Sequence, residues 1–170
     1  MLTLLSRRGA MLLVILMTGC ASTVAVRTAQ LSQLPLYADA KQTLPPPPTG
    51  TIRLVIYRPQ ALVGMLGSAI VVVDGHRMGD PANPVVDNRL QPGAVFIVDV
   101  PAKPTRVWWL QSGRVDEDKA IELTPSSASR HYLRWTLAAT HGHLSVVPEA
   151  QALPDLDGLR FSGYVRLGQP

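Results

Sequence analysis

From residue 51 to residue 147 the chain is written in short segments with a period of two, each stopped by a proline or a glycine turn. Ile52, Leu54 and Ile56 alternate with Arg53, Val55 and Tyr57 until Arg58-Pro59 ends the run. Such alternation marks a strand with one face buried. Ala69 to Val73 is a second strand, and its consecutive branched residues suit burial on both faces. Asp74-Gly75 follows, the strongest short hairpin signal, because a type I′ turn needs positive φ at both central residues. His76-Arg77-Met78 returns from it. Gln91-Pro92-Gly93 predicts a turn into a strand from Ala94 to Val100. Thr105 to Gln111 carries Trp108 and Trp109, whose side chains must point to opposite faces of a strand. Lys119 to Leu123 and His131 to Ala139 complete the clear strands, and His143 to Val147 pairs back across Thr140-His141-Gly142. After Pro148 the pattern weakens, and Phe161 to Leu167 either adds a last strand or wraps an edge.

No long stretch carries an apolar helical period. The expected fold is therefore all-β, a single β-sandwich of seven to nine short, mostly antiparallel strands of the immunoglobulin-like or transthyretin-like kind. The expected organisation is a leader over 1–19, a tether over 20–50, the sandwich over 51–150 and a C-terminal extension over 151–170.

The leader reading rests on the run from Met11 to Cys20. Arg7 and Arg8 form a positive segment, Ala10 to Met17 an apolar one, and Thr18 and Gly19 supply small residues before the chain's one cysteine. The apolar run is shorter than the roughly 20 residues a spanning helix needs. Met17-Thr18-Gly19-Cys20 resembles the bacterial lipobox. That resemblance implies cleavage between Gly19 and Cys20 and acylation of Cys20, so that membrane lipid is the first partner. Ala21 and Ser22 follow, with no Asp at the second mature position, which favours the outer membrane of a Gram-negative envelope and its periplasmic face. Pro45-Pro46-Pro47-Pro48 suits a stiff polyproline spacer.

Cleavage would remove Arg7 and Arg8 and no acidic residue, taking the basic count from 16 to 14 against 12 acidic, a net charge near +2. No basic cluster remains to suit a phosphate backbone, so nucleic acid is not an expected partner. With Cys20 acylated, thiol catalysis and cysteine-ligated zinc are excluded together. No Gly-x-Ser-x-Gly, Ser-x-x-Lys or His-Glu-x-x-His pattern occurs, so no catalytic residue, metal or cofactor is assigned. His141 and His143 lie two apart on a strand, but two ligands are too few for structural zinc. Asp155-Leu156-Asp157-Gly158 lacks the later ligands of a calcium loop and reads as a capped turn. Asp116-Glu117-Asp118 reads as a solvated turn.

The candidate binding residues are Arg58, an anion ligand or a salt-bridge and carbonyl partner, and Trp108 and Trp109. If one tryptophan is exposed it could stack on a sugar; otherwise one fills the core and the other covers an edge.

The run Ile52-Arg53-Leu54-Val55-Ile56-Tyr57-Arg58-Pro59, then Val71-Val72-Val73-Asp74-Gly75 with Gly79, then Arg130-His131-Tyr132-Leu133-Arg134, resembles a family of bacterial lipoproteins defined by a domain of unknown function. Its members carry a strand ending in Tyr-Arg, a Val-x-Val-Asp-Gly hairpin and a later strand opening on Tyr. Ala102-Lys103-Pro104 departs from the Pro-Gly-basic turn of that family. The resemblance implies a β-sandwich lipoprotein with no assigned activity. The expected function is a non-enzymatic, membrane-anchored envelope protein that presents its sandwich as an interaction or structural module to an envelope partner. The rival is a small-ligand or glycan binder using an exposed Trp and the apolar Gly64–Gly67 loop.

Overall fold

The computed structural model describes residues 31–60, 69–78, 89–111, 114–115, 117–124, 130–138 and 141–168. Residues 1–33 and residues 34–170 form separate units. The second unit is a β-sandwich of two packed sheets. Its elements run α1 (Tyr37–Thr43), β1 (Thr51–Arg58), β2 (Ala69–Val73), β3 (His76–Arg77), β4 (Ala94–Pro101), β5 (Thr105–Gln111), β6 (Arg114–Val115), a 3-10 turn (Glu117–Lys119), β7 (Ile121–Leu123), β8 (Arg130–Ala138), β9 (His141–Val147), α2 (Glu149–Leu156) and β10 (Arg160–Arg166).

Sheet 1 has the order β10-β4-β1-β8-β9, and sheet 2 the order β3-β2-β5-β6 with β7 also on β5. The described strands number ten, against the seven to nine expected, because β3 and β6 are only two residues long. Most pairs are antiparallel, but β1 with β8 and β10 with β4 are parallel.

The turn chemistry works as the residues require. Val73 pairs with His76, so Asp74-Gly75 is a two-residue hairpin with φ of 48° and 82°. Ala94 N–H donates to the Gln91 carbonyl at 3.1 Å with Gly93 at φ 83°, closing the turn before β4. The β8–β9 connection is tighter than expected: Ala138 pairs with His141, which puts His141 and Gly142 in β9.

Register divides sheet 1 into two faces. Arg53, Val55 and Tyr57 on β1 stand level with Asp99, Ile97 and Val95 on β4 and with Arg130, Tyr132 and Arg134 on β8. This face is covered by α2: Val55, Tyr57, Val95 and Tyr132 pack with Ala152, Leu156 and Leu159. The opposite face, with Leu54, Ile56, Arg58, Val98, Leu133 and Trp135, is buried toward sheet 2. Sheet 2 answers with Ala69, Val71, Val73, Val107 and Trp109, all buried.

Two parts of the expected organisation change. Residues 34–50, read as tether, are strapped onto the sandwich. Leu36 bridges Arg160, Tyr37 N–H donates to the Leu159 carbonyl at 2.8 Å, and Phe161 N–H donates to the Pro35 carbonyl at 2.9 Å. Pro45 is no free spacer, because its carbonyl accepts Arg53 Nη2 at 2.7 Å. Second, α2 lies astride residue 150 and belongs to the sandwich; β10, an edge strand of sheet 1, is the last strand that Phe161 to Leu167 allowed for.

Gly163 on β10 faces Phe96 on β4. A β-carbon there would stand 2.7 Å from the Phe96 ring. Gly163→Ala is expected to lower unfolding stability by about 1–3 kcal/mol, as overpacking does. Phe96→Leu in the same chain should recover part of that loss in urea titrations.

Candidate functional site

Arg58 ends β1 facing the space between the sheets and is 3% exposed. In the parallel register Tyr57 stands beside Arg134, so the next position sets Arg58 beside Trp135. The guanidinium lies 4.4 Å from the Trp135 ring centroid, a cation–π contact in a dry setting. Arg58 Nη1 also donates to the Leu90 carbonyl at 3.3 Å. Leu90 is held there by a bridge to Ala69, the first residue of β2. Burial pushes the guanidinium down to about 10, since a charge removed from water loses its solvation.

The expected candidates do not gather. Trp109 is 1% exposed and fills the core from sheet 2. Trp108 points to the other face of β5, is half-buried, and has the Arg106 guanidinium 5.9 Å from its ring. Arg58 has an aromatic partner on a neighbouring strand, Trp135. Cys20, Gly19 and the Gly64–Gly67 loop lie outside the described residues.

On the helix-covered face, three tyrosines donate to carboxylates. Tyr164 Oη reaches Asp99 Oδ2 at 2.8 Å, Tyr57 Oη reaches Asp155 Oδ2 at 2.9 Å, and Tyr132 Oη reaches Glu149 Oε1 at 2.8 Å. Two of the carboxylates also meet an arginine. Asp99 receives Arg53 Nε at 2.7 Å and Nη2 at 2.8 Å, and Arg134 Nε lies 3.3 Å from Asp155 Oδ2 as an ion pair. Asp155 therefore serves α2 rather than a turn, and Asp157 with Gly158 at φ 75° ends that helix.

His141 and His143 are both exposed on β9. Among the described residues no group of three His, Cys, Asp or Glu side chains is placed to hold a metal. No described helix is long and apolar enough to cross a membrane. Family models, characterised proteins and solved structures were compared with the chain, and none matches it.

The buried phenols give a pH dependence. Burial first, and then the hydrogen bond to Glu149, pushes Tyr132 up to about 12; burial and Asp155 push Tyr57 up as well. The neutral phenol is thus favoured in the folded state over the ordinary value of about 10. That stability is fully present below pH ~10 and is lost as pH rises toward the folded values. Urea unfolding at a series of alkaline pH values should show the fall beginning near pH 10, with a shallower slope in Tyr132→Phe.

Proposed function

We propose that this chain is a membrane-anchored envelope lipoprotein that presents its β-sandwich as an interaction or structural module. The observation that carries the reading is the run from Arg7 to Cys20: two cations, an apolar stretch, Thr18-Gly19 and the one cysteine, in the order an export and lipidation signal needs. The motif resemblance to uncharacterised bacterial lipoproteins supports it. The strap adds a physical reason. Hydrogen bonds to the carbonyls of Leu34, Pro35 and Pro45 fix where the chain enters the sandwich. An acyl group on Cys20 would hold the domain to a bilayer. Each buried methylene contributes about 0.8 kcal/mol to membrane affinity, so acyl chains on one residue suffice for lasting attachment when two or more are present.

Expression of the wild type and of Cys20→Ala in a Gram-negative host tests this. The wild type should begin at Cys20, carry acyl mass and sediment with the outer membrane, while the variant should be unacylated and leave the membrane fraction. Identical unacylated chains from both would refute the proposal.

A further inference from the structure

The eight residues of α2 are too few for a helix to stand alone in water. Pro154 lies inside it, and no side chain caps its first turn. Tertiary contacts hold it instead. Ala152 and Leu156 are buried with Val55, Tyr57, Val95 and Tyr132, and the two tyrosines donate to Asp155 and Glu149. The helix α1, seven residues long and equally uncapped, is in the same position. Its first residue, Tyr37, packs on the buried group that α2 completes. The strap and the segment after α2 also hold each other by hydrogen bonds. Tyr37 N–H donates to the Leu159 carbonyl, Phe161 N–H to the Pro35 carbonyl, and Arg160 Nη1 to the Leu34 carbonyl. Leu159 packs in turn with Ala152 and Leu156. At the start of α2, Glu149 takes the Tyr132 hydroxyl and lies within electrostatic reach of the Tyr37 phenol. Two marginal helices are thus fastened at the same place.

We propose that the strap from Leu34 to Thr43 and α2 form a latch over sheet 1, which opens as one unit while both sheets stay folded, with Tyr37 coupling its two parts. Short elements held by few contacts make up the low-stability end of a fold, and they open in contiguous cooperative units. Sheet 1 needs neither part for its ladders, which run β10-β4-β1-β8-β9 without them. Pro45, whose carbonyl is held by Arg53, would be the hinge of the strap, and Pro148, which follows β9, that of α2. Opening would uncover Val55, Tyr57, Val95 and Tyr132 on a sheet that keeps its register. The latch is independent of whether Cys20 is acylated, so its test does not share an outcome with the lipoprotein test.

The experiment is native-state hydrogen exchange on the full chain in detergent, followed amide by amide by NMR over a series of low urea concentrations. The amides of Tyr37, Ala152 and Phe161 should merge on one opening isotherm. Their exchange should be about tenfold or more faster than that of the central strand β1, which exchanges only by global unfolding. Tyr37→Ala keeps the backbone and removes the packing, so the Phe161 and Ala152 amides should speed up by the same factor, about tenfold. Leu156→Ala should in turn speed the Tyr37 and Phe161 amides by the factor it gives Ala152, since coupling is reciprocal. Separate isotherms for the strap and α2 would overturn the single unit. Exchange of these amides only together with β1 would overturn the latch. A Phe161 amide that speeds up in Tyr37→Ala while Ala152 keeps its wild-type rate would overturn the coupling through Tyr37. The wild-type isotherms do not depend on either variant folding.

Discussion

A buried ion pair between Arg53 and Asp99 is the interaction on which the rest of sheet 1 depends. Asp99 is wholly inaccessible, and Arg53 meets it through two nitrogens at 2.7 and 2.8 Å. Two charges out of water are stable only when geometry is good and their remaining hydrogen-bonding groups are satisfied. Here they are. Tyr164 Oη donates to Asp99 Oδ2 and lays its ring 5.5 Å from the guanidinium, and the second Arg53 nitrogen also donates to the Pro45 carbonyl. The pair is directly opposed in the β1–β4 register, so it pins that register. Through Tyr164 it reaches β10, and through Pro45 it reaches the strap.

The two faces of sheet 1 use polar groups differently. Toward α2, each buried phenol finds a carboxylate, and Tyr57 and Tyr132 thereby dock α2 by its residues Asp155 and Glu149. Satisfied networks of this kind specify one arrangement of the elements they join. Toward sheet 2 the face is largely apolar, but it carries Arg58, held by an aromatic ring and a carbonyl, and the half-buried His131 beside Leu54. One face joins elements through polar networks; the other packs apolar side chains around an arginine stacked on Trp135.

Much of the sandwich was legible from period and punctuation. Asp74-Gly75 and Gly93 work because their backbones need positive φ, a local matter that neighbouring residues decide. The helix α2 was not legible, because Pro148 and Pro154 argue against it locally. Tertiary contacts override them: Ala152 and Leu156 are buried in the core, and both acidic residues find tyrosines. The four prolines themselves carry no sign of the strap, because the donor that captures Pro45 lies eight residues on, in β1. A signal for the site did exist. Arg53, Arg58 and Asp99 each interrupt an otherwise apolar strand, and a charge in such a place must have a partner. Which partner it has, Asp99 or Trp135, depends on strand order, and the parallel pairing of β1 with β8 leaves no trace in either strand's own residues.

A double-mutant cycle on unfolding free energy, with Arg53→Met, Asp99→Asn and both together, tests the central claim most directly. Each single change should cost about 3–5 kcal/mol, because each leaves a buried group without its partner. The double variant should cost well under the sum, with a coupling of about 1–3 kcal/mol. Additive, small losses would contradict the account and reduce the pair to a bystander of the β1–β4 ladder.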